Sequence, residues 1–299
     1  MKKLKVLVTG GGGFVGRNLT QRLISDGHEV TITATGSEPV TNVHKVLYMS
    51  LEGIDWDYLR KQKFDVVFHQ MANNDTRCFD TEEVWRANVY GPMRLFKTAL
   101  NSGCNKFVYA SSTAVYGQAK APYTEETEIS PLLPYSESKS EFDTFAINFA
   151  KENDVSVIGL RYCNVYGPGE SQKGKRMSMI GQIIRKILAQ KQVVLFKDGT
   201  QRRDWVYVKD VVEANILSMQ SEKTGIYNIG GGGSWSFIEV FNEVLNQILL
   251  PANIEYIDCP FPESYQDYTE CSIEKAKREL GYVPKYDLKT GIEEYIASF

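Results

Sequence analysis

Short apolar runs alternate with helical patterns through the first half of the chain. Residues 4–9 are apolar and contain β-branched side chains, which is typical of a buried β-strand. Comparable runs predict further strands at residues 30–33, 46–49, 66–70 and 106–111. Helices are predicted after the first strand and at residues 57–61, 82–100 and 134–152. Strands that alternate with helices predict an α/β fold of the Rossmann type, with a doubly wound parallel sheet.

The alternation weakens after a sixth predicted strand at residues 156–161 and a turn-rich break at 164–169. Beyond it we expect a helix at 179–190, a strand at 193–196, and a helix from Phe237 with Ser236 as its N-cap. We therefore expect two units. Residues 1–165, with a return segment at about 203–229, form a dinucleotide-binding domain, and residues 166–202 and 230–299 form a smaller mixed lobe.

A glycine-rich turn follows the first strand. Gly10, Gly13 and Gly16 stand three residues apart, and a helical pattern through Leu19 and Leu23 follows. The order strand, glycine turn, helix is typical of a dinucleotide site, where the glycines let the backbone approach the pyrophosphate. The anion binds at the helix N-terminus, where backbone N–H groups point outward. A glycine-rich turn without a ligand is the alternative.

The end of the second strand bears on the choice of cofactor. Folds that prefer NAD usually place a carboxylate there to bind the ribose 2′-hydroxyl. This chain has Ala34-Thr35-Gly36-Ser37 at that point, with neither a carboxylate nor an arginine. An acidic residue would repel a 2′-phosphate, whereas the hydroxyls of Thr35 and Ser37 would not. The sequence slightly favours NADP and leaves NAD open.

Two serines end the fifth strand. The carboxyl ends of parallel strands line the ligand crevice of such folds, which brings Ser111, Ser112, Ala72 and the glycine turn to one edge. Serines at strand ends often only cap the next turn. Beside a tyrosine and a cofactor, however, Ser112 is placed to donate a hydrogen bond to a substrate hydroxyl or alkoxide.

Tyr135 and Lys139 are four residues apart near the start of a predicted helix. Residues with that spacing share one helix face. An adjacent ammonium favours the ionised form of a phenol, so Lys139 is expected to lower the pKa of Tyr135 and make it a general base near neutral pH. The same spacing occurs by chance on amphipathic helices, and only the glycine turn and the serine pair give it weight.

Composition narrows the function classes. The chain has 42% hydrophobic and 24% charged residues with a net charge of -3, so it lacks the basic surface typical of nucleic-acid or membrane binding. No apolar run is long enough to span a membrane, and residues 4–8 do not form a signal peptide. Five scattered cysteines indicate reduced thiols in a cytoplasmic protein, and the three histidines show no metal-ligand spacing, so no metal is expected.

Together these motifs resemble the extended short-chain dehydrogenase/reductase family, which contains nucleotide-sugar epimerases and dehydratases. The likeness extends over nearly the whole chain. It is carried by residues 9–16, Phe68-His69 with Ala72, Asn88-Val89-Tyr90-Gly91, and residues 109–117, 135–139, 161–168, 203–210 and 227–230.

The resemblance implies roles for individual residues. Tyr135 would be the catalytic acid/base, Lys139 would lower its pKa and bind the nicotinamide ribose, and Ser112 would orient the sugar hydroxyl. The implied cofactor-binding residues are Gly10, Gly13, Phe14, Val15, Gly16, Thr35, Ala72, Asn88, Tyr135 and Lys139. The implied substrate-binding residues are Ser111, Asn164, Arg203 and Tyr265.

Lys173 is a second acid/base candidate. Tyr166-Gly167-Pro168 followed by Gln172-Lys173-Gly174 is similar to a segment of the family members that act on a nucleotide-activated heptose, in which the lysine joins the active site. A solvated lysine in a basic loop is the alternative. The chain departs from the family at Ser50, where an aspartate near the adenine is common, and at Ser264, where many members have an arginine.

The resemblance implies a cytoplasmic NAD(P)-dependent epimerase of a nucleotide-activated heptose or hexose. It would oxidise the sugar transiently and reduce it again on tightly bound cofactor, and it would form a homodimer through the helices at 82–100 and 135–152. A dehydratase, a reductase or dehydrogenase, and a non-catalytic NAD(P)-sensing protein are the alternatives. Thr113 and Ala114 follow Ser112 without a carboxylic acid, which argues against the dehydratase.

Overall fold

The computed structural model describes residues 2–35, 40–48, 53–75, 78, 80–260, 262 and 265–299. Ser37, Ser50 and Ser264, on which parts of the cofactor and substrate predictions depend, lie outside these ranges. Within them the chain forms an α/β fold around a parallel sheet, as the sequence predicts.

In the described part of the chain the large sheet has seven strands in the order β10-β6-β5-β4-β1-β2-β3, and all their pairings are parallel. The order reverses between β1 and β4, which opens a crevice at their carboxyl ends. These strands are β1 (Lys5–Thr9), β2 (Glu29–Ala34), β3 (Lys45–Tyr48), β4 (Val66–His69), β5 (Lys106–Ser112), β6 (Ser156–Tyr162) and β10 (Gly225–Ile229).

Helices cover both faces of the large sheet and bury its apolar side chains in two clusters. The helices of the first half are α1 (Phe14–Ser25), α2 (Trp56–Lys61), α3 (Thr81–Trp85), α4 (Gly91–Asn101) and α5 (Pro134–Asn153). Those of the second half are α6 (Met179–Leu188), α7 (Val208–Gln220), α8 (Phe237–Ile248), α9 (Glu274–Leu280) and α10 (Leu288–Ile296). None of the described helices is long and apolar enough to cross a membrane.

The single helix expected at 82–100 is interrupted. A π-helical turn at Arg86–Tyr90 joins α3 to α4. Pro92 follows at the start of α4 and has no N–H to bond the carbonyl four residues earlier, so the regular α-helical ladder cannot continue there.

Two of the strands that the sequence patterns did not predict have only three residues each. The break at 164–169 begins with β7 (Asn164–Tyr166), which pairs in parallel with β9 (Arg202–Tyr207), and β11 (Ser234–Ser236) pairs antiparallel with β9. Three residues are too few to show a periodic pattern, and glycines adjoin both strands. The helix from Phe237 is confirmed, since Ser236 and Glu239 form a reciprocal capping box.

A third apolar cluster lies in the second half of the chain, where α6, α8 and α10 pack against one another and α6 packs on β8 (Val193–Phe196). β8 pairs in parallel with β12 (Ile254–Ile257). Helix α9 instead packs against β10, and its Ala276 and Leu280 join a cluster of the large sheet. The division into two domains stays a prediction.

Candidate active site

A cavity of about 1310 Å³ opens at the carboxyl edge of the large sheet, between the sheet and the third cluster. All but one of the predicted site residues line it. They are Gly10, Gly13, Phe14, Val15, Gly16, Thr35, Ala72, Ser111, Ser112, Tyr135, Lys139, Asn164, Lys173, Arg203 and Tyr265. The cavity therefore gathers side chains that the sequence places more than 250 positions apart.

The exception is Asn88. It is buried beneath the site, where its amide bonds both the N–H and the carbonyl of Asn73 and the hydroxyl of Ser138. In the described structure it fixes the loop after β4 to helix α5. Its amide groups bond protein partners, and its contact with a cofactor stays a prediction.

The glycine turn is shaped to receive an extended anionic group. Gly10 has a φ of +71°, and a Cβ on Gly16 would lie 2.1 Å from the carbonyl oxygen of Gly10. Helix α1 begins at Phe14 without a side-chain cap and without an acidic residue in its first turn. Its first N–H groups thus remain available for a phosphate, and the residues fit the pyrophosphate of a dinucleotide.

Strand β2 ends at Ala34, which lines the cavity together with Thr35. No carboxylate stands at this strand end among the described residues. The feature that would favour NAD by binding the ribose 2′-hydroxyl is absent from that range, so the local geometry leaves NAD and NADP open.

Helix α5 starts at Pro134 and carries Tyr135 in its first turn, half-buried in the cavity wall. Burial raises the pKa of Tyr135 above 10, and a hydrogen bond with Ser112 acts in the opposite direction. The sequence-based expectation that Lys139 lowers this pKa is not met in the protein alone. Burial raises the pKa of Tyr135 instead, since a buried site disfavours the charged phenolate.

Lys139 lies one turn further along α5 and is almost fully buried. Its Nζ donates a hydrogen bond to the carbonyl of Ala110 at 2.9 Å and lies 5.8 Å from the centroid of the Tyr135 ring. Burial lowers the pKa of Lys139 to about 8, although the negative charge of Asp143 acts to raise it. The two groups are neighbours, as predicted, but burial disfavours the charged form of both.

The two serines that end β5 make different contacts. The Oγ of Ser112 accepts a hydrogen bond from the N–H of Ala114 at 3.2 Å, so it caps the following turn, and it also bonds Tyr135. Ser111 is buried, and its Oγ has no hydrogen-bond partner among the described residues. An unpaired hydroxyl at a cavity wall is available to a ligand, since buried polar groups are rarely left unsatisfied.

Lys173 lies beside the glycine turn. Its side chain is 23% exposed, and its Nζ stands 3.6 Å from the carboxylate of Glu170 and 5.2 Å from the centroid of the Phe14 ring. Burial lowers its pKa, and Glu170 acts to raise it. The adjacent Gln172 donates a hydrogen bond to the carbonyl of Gly12. This lysine belongs to the cavity and is not a freely solvated surface residue.

Glu170 is completely buried and anchors the segment that carries Lys173. Its carboxylate accepts hydrogen bonds from the N–H of Ser178 at 2.7 Å, from the Oγ of Ser178 at 2.6 Å, and from the hydroxyl of Tyr295 at 2.9 Å. Local sequence patterns do not predict the contact with Tyr295, because that residue lies 125 positions from Glu170.

The far side of the cavity is basic and aromatic. The guanidinium of Arg203 lies 5.0 Å from the centroid of the Tyr265 ring, and no carboxylate forms an ion pair with it among the described residues. Burial lowers its pKa. Arg176 and Lys186 also line the cavity and were not singled out from the sequence. The guanidinium of Arg203 is suited to a diphosphate.

Comparisons with known proteins agree with this geometry. Residues 6–230 match the model of the NAD dependent epimerase/dehydratase family. A curated relative, the ADP-L-glycero-D-manno-heptose-6-epimerase of Brachyspira hyodysenteriae, is 32% identical, with 97% of this chain and 96% of that protein covered.

Two solved structures have the same fold as this chain over nearly its whole length. The ADP-L-glycero-D-manno-heptose-6-epimerase of Helicobacter pylori superposes with a TM-score of 0.91 at 33% identity, covering 99% of this chain and 96% of that one. MoeE5, in complex with UDP-glucuronic acid and NAD, superposes with a TM-score of 0.89 at 30% identity and covers 98% of both chains. Sequence, fold and site agree, and the chain belongs to the NAD dependent epimerase/dehydratase family.

Proposed function

We propose that this protein is a nucleotide-sugar epimerase that oxidises its substrate transiently and reduces it again. The observation that carries the proposal is the position of Ser112, Tyr135 and Lys139 in one cavity with the glycine turn. Bound nicotinamide would supply the chemistry of accepting a hydride and returning it. Gly10, Gly13 and Gly16 would hold its pyrophosphate, and the ribose would lie against Lys139.

The side chains account for the proton transfers. Tyr135 takes the proton of a sugar hydroxyl as the carbon beneath it loses hydride, and Ser112 donates a hydrogen bond to the same oxygen. The resulting ketone presents its other face, and Tyr135 or Lys173 returns a proton on re-reduction. Electrons and protons balance within one turnover, so a tightly bound cofactor need not be replaced.

The substrate class follows from the basic side of the cavity and from the relatives. Arg203 would bind the diphosphate, and Asn164, Tyr265 and Ser111, which also line the cavity, would contact the sugar and its nucleotide. The heptose epimerases support an ADP-heptose, and Lys173 supports the same choice. MoeE5 with UDP-glucuronic acid supports a UDP-hexose as the second candidate.

The cofactor is the open part of this proposal. The family description and the NAD in MoeE5 favour NAD, whereas the strand end at Thr35 slightly favours NADP. Denaturing the purified protein and identifying the released nucleotide by mass spectrometry distinguishes the two. Release of less than about one nucleotide per chain after extensive dialysis would contradict tight binding.

The decisive experiment supplies ADP-heptose, UDP-hexoses and GDP-hexoses to purified protein without added cofactor and follows the products by NMR. Catalytic formation of a stereoisomer of equal mass supports the proposal. Tyr135→Phe should lower kcat about 10²–10⁴-fold, since it removes the proton-transfer group. Tyr256→Phe, on an exposed strand, is the control. Turnover only with stoichiometric NAD(P)H would instead identify a reductase or dehydrogenase.

We also propose a homodimer. Helices α3, α4 and α5 lie side by side on one face of the sheet, and Tyr90 on the π-helical turn is 59% exposed. An exposed aromatic side chain on a helical face is suited to a subunit contact. Light scattering should give twice the chain mass of 33.8 kDa, and Tyr90→Glu should lower it. A chain-sized particle at micromolar concentration would exclude the dimer.

A further inference from the structure

Two cysteines that are distant in the sequence meet beside the substrate cavity. Cys163 lies at the junction of β6 and β7, and Cys271 lies 108 positions later, before helix α9. Their Sγ atoms are 3.1 Å apart, and both side chains are buried. A disulfide requires the sulfurs to approach by only about 1 Å more.

The surroundings hold both thiols in place. The N–H of Cys271 donates to the carboxylate of Asp204 at 3.2 Å, and the thiol of Cys163 bonds the same carboxylate. A further N–H, from Gly231, donates to Asp204 at 2.7 Å. These hydrogen bonds satisfy the acceptor atoms of the Asp204 carboxylate and hold it beside the two thiols.

Of the two cysteines, Cys163 borders the cavity. It lines the cavity between Tyr162 and Asn164, whereas Cys271 is not part of the lining. Cys104 provides the contrast, because it is also buried but its thiol bonds backbone groups, the carbonyls of Asp65 and Lys106 among them. Of the two buried environments, only the first brings a second thiol within reach.

We propose that Cys163 and Cys271 are a modification site that a peroxide oxidises to a disulfide. Peroxide converts the thiol of Cys163 to a sulfenic acid, which breaks the O–O bond and releases one water. The thiol of Cys271 then attacks this sulfur, the S–S bond forms, and a second water leaves. Two electrons pass from the sulfur pair to the peroxide.

The reaction is slow and changes the substrate side of the cavity. Burial and the Asp204 carboxylate raise the pKa of the Cys163 thiol, and the thiolate is the reactive form. The segment before Cys271 carries Tyr265, which lines the cavity. A disulfide fixes this segment to the end of β6, so oxidation should change the affinity for the nucleotide-sugar more than the chemistry.

The test treats the full-length protein with hydrogen peroxide, blocks free thiols by alkylation and maps peptides by mass spectrometry. A peptide that joins Cys163 to Cys271 and has lost two hydrogens is expected, and reduction should reverse it. Cys104→Ser should behave like the wild type. Cys163→Ser and Cys271→Ser should each abolish the cross-link. If one of these variants does not fold, the other still tests the prediction.

Binding is measured by titrating oxidised and reduced protein with UDP-glucose and with ADP-ribose. A severalfold change in affinity on oxidation, absent in Cys163→Ser, is the expected result. Sulfinic or sulfonic acid at Cys163 without a cross-link would overturn the proposal. Stoichiometric zinc that is retained through purification and lost in Cys163→Ser would overturn it as well, since the thiols would then be metal ligands.

Discussion

Replacing Lys139 with methionine should stabilise the protein at neutral pH while it abolishes activity. The ammonium is only 4% exposed, and one hydrogen bond, to the carbonyl of Ala110, holds it. The pKa of Lys139 in the folded chain is about 8, against 10.5 for an ordinary lysine. Burial of the charge is therefore a net cost to folding, and methionine fills similar space without it.

The magnitude and the sign follow from proton linkage. Between pH 8 and 10.5 the unfolded chain binds more protons than the folded one, so stability rises with pH in this window. Below pH 8 Lys139 is charged in both the folded and the unfolded chain. The free-energy cost of burying that charge is then about 3 kcal/mol, at about 1.4 kcal/mol for each unit of pKa shift. Loss of the hydrogen bond offsets about 1 kcal/mol. Lys139→Met should thus gain about 2 kcal/mol at pH 7, and it should lose about 1 kcal/mol only well above pH 10.5, where neither state carries the charge.

Urea unfolding of cofactor-free protein, followed by fluorescence and circular dichroism, measures this difference. Subtracting the free energy of unfolding of the wild type from that of the variant at each pH cancels the contributions of the other titrating groups. Lys151→Met, at an exposed position of the same helix, is the matched control and should show no such pH dependence. A difference that does not change between pH 7 and pH 10, or a variant that is less stable at pH 7, would refute the reasoning.

Two further predictions concern the cofactor turn and Lys173. Gly16→Ala places a Cβ 2.1 Å from the carbonyl oxygen of Gly10, so the purified variant should retain little nucleotide, whereas Gly233→Ala, with no atom within 4 Å of its Cβ, should retain it fully. Glu170→Gln removes the charge that raises the pKa of Lys173, so the limb of the pH profile of kcat/KM that Lys173 controls should move to lower pH. Unchanged nucleotide content in the first variant, or an unmoved limb in the second, would contradict these expectations.

The sequence predicted the parts of the fold that local pattern determines. The strand predicted at 4–9 agrees with β1 to within one residue, and the glycine turn and helix α1 follow it as predicted. Ser236 caps α8 as expected. The rule that strand ends line one crevice placed Ser111 and Ser112 correctly at the cavity. These features depend on neighbours within a few positions, which a single sequence contains.

Features that depend on contacts between distant segments were not predictable. The sequence spacing showed that Tyr135 and Lys139 are neighbours, but it carried no information on their burial. The contact of Glu170 with Tyr295 and the approach of Cys163 to Cys271 each span more than 100 positions. Asn88 belongs to a motif that the sequence shows, but its hydrogen bonds to Asn73 and Ser138 could not be read from that motif.

The burial of Tyr135 and Lys139 has a consequence for how the site works. With the pKa of Tyr135 above 10, the phenol is protonated at neutral pH in the protein alone. Lys139 is mostly charged there, but at 5.8 Å from the ring it does not offset the cost of burying a phenolate. A further positive charge beside the phenol would lower its pKa. An oxidised nicotinamide carries such a charge, and a cofactor anchored at Gly10–Gly16 would reach the same cavity wall. The base should therefore become active only in the complex, so phenolate absorbance at neutral pH should follow NAD(P) occupancy and vanish in Tyr135→Phe.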